Sequence, residues 1–200
     1  MFKNSLNFLL VLLTLAATNV SATLITSEDF TSGATGWSNN STSLINGDSV
    51  LGGFNLFGGG AFTEKTFNLS GNQSSVDISL DFWKGDSWDS EFFQVFVNGT
   101  LLFNQSYIYH QGSQIAGQQH NAWNELLVPI SLTFNTTATS LNVRFTSTLD
   151  QSANDEWWAV DNVVINDNVV ANNVPVPEPS TLAIFALGVM GLASRRFKKQ

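Results

Sequence analysis

The chain has 200 residues and no cysteine, with 16 Asp and Glu against 8 Lys and Arg, for a formal net charge of −8. Five of the cations (Lys3, Arg195, Arg196, Lys198, Lys199) sit at the extreme ends, leaving Lys65, Lys84 and Arg144 against fifteen carboxylates from Glu28 to Asp167, a net charge near −12 for the body. That balance excludes a nucleic-acid partner, which needs a basic footprint. Without disulfides the fold must rest on its core, helped by a metal where one binds. An acidic, Asn- and Ser-rich surface suits a calcium-containing extracellular medium or neutral glycans, and equally plain solubility.

Lys3 gives a positive n-region, Phe8 to Ala17 an apolar h-region, and Val20-Ser21-Ala22 a small-residue cleavage site. Residues 1–22 therefore predict a signal peptide, with the mature chain starting at Thr23. Beyond it, period-two alternation dominates and no helical pattern intervenes. Ser49 to Phe57 and Phe62 to Leu69 read as strands around the flexible Gly58-Gly59-Gly60. Val76, Ile78, Leu80 and Phe82 alternate with Asp77, Ser79, Asp81 and Trp83. Phe93, Val95 and Val97 lead into Asn98-Gly99, a type I′ hairpin signal, and the chain returns through Leu101 to Phe103. His110 to Asn121, rich in Gln and Gly, reads as a long loop. Val128, Ile130, Leu132 and Phe134 alternate again, with Pro129 marking an edge or bulge. Leu141, Val143 and Phe145 repeat the pattern, and Trp157 to Ile165 closes it. Eight or nine short strands between turn signals predict an all-β fold, an antiparallel β-sandwich over residues 23–166. Residues 167–175 read as a linker.

The last segment, 176–200, holds Val176-Pro177-Glu178-Pro179-Ser180, an apolar run to Ala193 and a basic tail. Its apolar run, about 14 residues, is shorter than the roughly 20 a stable membrane helix prefers, and the basic tail should stay on the cytoplasmic side. A permanent single-span anchor and a processed signal both fit this pattern. Pro177, Glu178 and Pro179 resemble the motif of the bacterial PEP-CTERM sorting domain. That resemblance implies a membrane-spanning sorting helix and processing by an exosortase, a transpeptidase-like enzyme, at the outer face of the inner membrane. It also implies export to the cell envelope or extracellular matrix, where such proteins are associated with exopolysaccharide and biofilm.

Glu28-Asp29-Phe30 and Gly36-Trp37 near the start, with Trp158-Ala159-Val160-Asp161-Asn162-Val163 at the close, are similar to the ends of galactose-binding-like jelly rolls. Many carbohydrate-binding modules share that fold. The resemblance implies a structural calcium joining an acidic residue of the first strand region, Glu28, to one in the last strand, Asp161. On its own pattern, Asp161 is in phase with Ala159, Val163 and Ile165, a stripe expected to face the core. A buried carboxylate there needs a cation, hydrogen bonds or a proton. Val160 and Val164 are also apolar, so the opposite face stays open.

Asp81, Asp86, Asp89 and Glu91 form a second acidic group around a Gly- and Ser-containing loop, a solvated turn or a calcium site without EF-hand spacing. Trp83 lies out of phase with its apolar stripe, Trp88 follows in the polar loop, and adjacent Trp157 and Trp158 point to opposite faces. Trp83, Trp88 and Trp157 are the candidate platforms for stacking on sugar, although large aromatics also pack at sandwich edges. Catalysis is not expected. No thiol is present, His110 and His120 have no catalytic context, and Glu91 and Glu156, the one conceivable glycosidase pair, match no known signature. Two functions remain open: non-catalytic binding of matrix glycan, or a structural or adhesive surface protein with no sugar site.

Overall fold

The computed structural model describes residues 20–115 and 123–170, which form ten strands and no helix. These are β1 (Val20–Glu28), β2 (Thr42–Ile45), β3 (Asp48–Gly52), β4 (Phe62–Asn68), β5 (Gln73–Asp86), β6 (Asp89–Val97), β7 (Thr100–Ile108), β8 (Leu126–Asn135), β9 (Ser140–Ser147) and β10 (Glu156–Val170). Every pairing among them is antiparallel. Sheet A runs β2-β3-β10-β5-β8, with β1 also on β10, and sheet B runs β4-β9-β6-β7.

Alternation decides which residues go inside. Val76, Ile78, Leu80 and Phe82 of sheet A are buried against Phe93, Val95, Leu141, Val143 and Phe145 of sheet B. Phe82 and Phe93 stack with centroids 3.9 Å apart, and Phe93 leans on Trp158 at 5.6 Å. Burying each such side chain is worth about 1.5–3 kcal/mol, which makes a disulfide-free sandwich tenable. β10 organises sheet A, pairing with β5 along nearly its whole length. Its other side takes β3 at Ala159 and Val160 and β1 from Val163 to Val170.

The expected turn at Asn98-Gly99 is present, with φ of 48° and 77° at its centre. β8, which carries Pro129, pairs only with β5 and is an edge strand, as the proline requires. Two expectations are corrected. The strand expected over Ser49–Phe57 stops at Gly52, because Gly52 and Gly53 take φ of 93° and 104° and turn the chain. Phe57 then fills the space a side chain at Gly52 would need, 2.4 Å from that Cβ position. The start of the expected linker is also strand: β10 runs on to Val170, and Asp167 is fully buried, accepting from the Ser70 amide at 3.2 Å.

Val20 to Val170 form one unit. Its first strand begins at Val20, so the cleavage site expected after Ala22 falls inside β1. The rest of the signal peptide, the sorting segment with Pro177, Glu178 and Pro179, and His120 lie outside the described residues. No helix among the described residues is long and apolar enough to cross a membrane.

Candidate functional site

The alternation expected for the tryptophans holds, but sheet A is covered on both faces where they lie. Trp158 enters the main core, with its ring 4.6 Å from Phe57. Trp157 points the other way, into a second small core with Ile45, Val50 and Ala159, against which Phe54, half-buried Trp83 and Ile115 pack. Trp88 is also fully buried; its indole donates to the Trp157 carbonyl at 3.0 Å and meets Tyr107 edge-on. The expected stacking surface is therefore corrected. Trp88 and Trp157 are interior residues, and of the three candidates only Trp83 keeps partial exposure.

Glu28 stands opposite Val163, two residues from Asp161, but its carboxylate is engaged elsewhere. Glu28 accepts from the Lys65 ammonium at 2.6 Å on one oxygen and from the Trp37 indole at 2.6 Å on the other. An ammonium and an N–H donor thus satisfy the carboxylate, and the donor set at Glu28 does not fit a metal. Asp161 lies on the outer face with Trp157 and Ala159. A bulge at Asn162, φ 50°, reverses the phase so that Val163 and Ile165 enter the main core. Asp161 is 3% exposed, and burial, with the charges of Asp48, Asp81 and Asp29 behind it, pushes its carboxyl up to about 6. It sits directly opposite Asp81, whose carboxylate the Asn162 amide binds at 2.9 Å. These are hard oxygen donors of the kind calcium takes.

The loop acids also divide. Asp86 is buried and accepts from the Trp157 indole at 2.8 Å. Glu91 instead meets Asp150 and Glu156, with one carboxylate oxygen of each within 4.8 Å of the others. Glu156 is fully buried at the start of β10.

What the sequence did not single out is the outer face of sheet B. Odd and even positions there separate cleanly: Leu141, Val143 and Phe145 go inward, while Asn142, Arg144 and Thr146 face out. Register sets the outward residues in rows. Glu64 and Phe96 both pair with Arg144, and Phe96 also pairs with Leu101. Phe62 and Gln94 both pair with Thr146, and Gln94 also pairs with Asn104, to which it donates at 3.0 Å. A groove of about 530 Å³ runs over Glu64, Gln94, Phe96, Asn142 and Arg144. The Arg144 guanidinium carbon lies 4.1 Å from the centroid of Phe62, which is 41% exposed. Of the body's three cations this is the one set on an outer sheet face. Lys65 holds Glu28, and Lys84 is fully buried, donating to the Asn124 and Tyr109 carbonyls. Burial lowers Lys84 to about 8, against the pull of Glu125, Asp86 and Glu156.

No curated protein matches the chain. Among solved structures it is similar to the dimeric latent PorU of Porphyromonas gingivalis, at 13% identity and a TM-score of 0.45, over 81% of this chain but only 15% of that one. The CBM22-1 xylan-binding domain of Paenibacillus barcinonensis Xyn10C is similar at 16% identity and 0.45, over 78% of this chain and 99% of its own. A family 35 carbohydrate binding module from Clostridium thermocellum is similar at 15% identity and 0.39, over 72% and 97%. The C-terminus gives a direct match to a sorting signal, which implies export through a membrane-anchored intermediate and exosortase processing. Residues 175–199, which include Pro177, Glu178 and Pro179, carry the PEP-CTERM protein-sorting motif.

Proposed function

We propose that the body is a non-catalytic binding module for neutral glycan, delivered to the cell envelope or extracellular matrix, and that it binds through the outer face of sheet B. The observation that carries this reading is the Phe62–Arg144–Phe96 platform flanked by Gln94, Asn104, Asn142 and Glu64. A flat ring and a flat guanidinium suit the apolar C–H faces of a sugar. Amide and carboxylate groups beside them supply donors and acceptors for hydroxyls. The strongly acidic body favours a neutral polymer over a polyanion, since one surface cation does not offset its field. Calcium stays part of this reading as a structural ion at Asp161, whose buried carboxyl lies in the field of Asp48, Asp81 and Asp29.

The test is binding of the full-length protein to a polysaccharide panel, with Phe62→Ala and Arg144→Ala as variants. Saturable binding lost in both variants supports the reading; wild-type binding that survives both overturns it. The rival, an adhesive or structural surface, is favoured by one observation: Phe62, Phe92 and Leu101 are all more than a third exposed on sheet B, whose edge strands β4 and β7 are unpaired on their outer sides. Concentration-dependent self-association without any polysaccharide binding would favour it.

A further inference from the structure

We propose that Glu91, Asp150 and Glu156 form a calcium site distinct from Asp161, clasping the β5–β6 turn to the loop between β9 and β10. Glu91 comes from β6, and Asp150 and Glu156 from the β9–β10 connection and the start of β10, yet one oxygen of each lies within 4.8 Å of the others. Ligand oxygens around one calcium sit at most about 4.6–5.2 Å apart, twice the ~2.3–2.6 Å bond, so the three are close enough to share one ion.

A cluster of surface acids would mean little by itself, but Glu156 is not a surface acid. It is fully buried at the start of β10, and its Oε2 has no hydrogen-bond partner, while Oε1 accepts from the Gln151 amide at 3.2 Å. An orphaned carboxylate oxygen in the interior, on a residue grouped with two more carboxylates, is unfavourable unless a cation or a proton completes it. Lys84, a buried cation in the field of Glu156, donates to backbone carbonyls and feels Glu125 and Asp86 ahead of Glu156.

The surrounding backbone holds the geometry. Gly58 and Gly59 pack on the loop that bears Asp150 so closely that a Cβ would meet Ala153 N at 2.4 Å and Gln151 O at 2.7 Å. The Gly59 amide donates to the Gln151 carbonyl at 2.6 Å, and buried Leu149 anchors the same loop. On the other side, the Asp89 amide binds one Glu91 oxygen at 2.6 Å. Three anionic ligands on two braced loops leave the rest of a six- to eight-oxygen shell to water and carbonyls.

The test is calorimetric titration of the full-length, chelator-treated protein with calcium chloride, for wild type, Asp150→Asn, Glu156→Gln and Asp161→Asn. Asp150 is exposed, so its variant keeps the fold even where Glu156→Gln does not. The expected result is a calcium-binding phase weakened at least tenfold by Asp150→Asn and by folded Glu156→Gln, and retained in Asp161→Asn. Wild-type affinity and stoichiometry in Asp150→Asn would overturn the proposal, as would no calcium uptake by wild type at millimolar concentration. Glycan binding is read separately, so failure here leaves the sheet B site untouched.

Discussion

Gly85 and Trp157 stand directly opposite each other in β5 and β10, and the indole occupies the space a side chain at 85 would need. A Cβ built on Gly85 would lie 1.9 Å from Trp157 Cε2. The ring is held there by its N–H, which donates to Asp86 at 2.8 Å. Gly85→Ala therefore forces either the ring or the strand to move, at a cost of about 3 kcal/mol. Chemical denaturation measures it. A loss below about 1 kcal/mol would mean that the ring shifts freely, and the second core would then be looser than its contacts suggest.

Glu28 makes a different prediction from the one its position in the sequence invites. Its oxygens serve Lys65 and Trp37, so Glu28→Gln should cost about 1.5–3 kcal/mol of stability, the range for hydrogen bonds to charged groups. Calcium affinity should stay at the wild-type value. A drop in calcium affinity with stability unchanged would restore Glu28 as a ligand.

The buried carboxyls set the pH response. Asp161 rises from 3.8 to about 6, and Glu156 from 4.5 to about 7, burial being the first cause for each. A carboxyl raised in the folded state stabilises fully below its unfolded pKa and loses that contribution as pH climbs through the folded one. Metal-free protein should therefore melt lower at about pH 7.5 than at about pH 5, with Asp161→Asn flattening the slope between about 4 and 6. A melting temperature that rises across this window in chelator contradicts the burial of both groups.

On sheet B, Phe62→Ala and Arg144→Ala should each weaken glycan binding by about tenfold. Their effect on folding should be small, since an exposed cation–π pair contributes about 0.5–1 kcal/mol. Melting curves run beside the binding assay separate the two effects. Wild-type affinity in both variants would move the site off this face.

The strands were legible because apolar residues at period two leave few choices, as in Val76-Ile78-Leu80-Phe82. What alternation could not show is how many layers cover a face. Trp157 and Trp158 do point apart, yet the β2–β3 hairpin closes over Trp157, and of its two strands, joined at Asn46-Gly47, only β3 was expected, since β2 is four residues long. Asp161 was misphased for a local reason: one residue with φ of 50° at Asn162 breaks the parity on which the stripe was counted. Glu91 is far in sequence from Asp150 and Glu156, and only the pairing of β5 with β10 and the close seat of Gly58 and Gly59 bring the two regions together. Arg144 was visible as one of three cations, but its importance depends on where Lys65 and Lys84 go.

β10 is the last strand made and the one on which β1, β3 and β5 all depend. A chain threading outward from its N-terminus carries those three strands with nothing to join β1 and β3 to β5 until residues 156–170 follow. Long-range pairing of this kind is slow and comes late. Sheet A is thus closed by the segment next to the sorting signal, whereas sheet B, the β5–β8 pair and the β2–β3 hairpin have all their partners upstream of it.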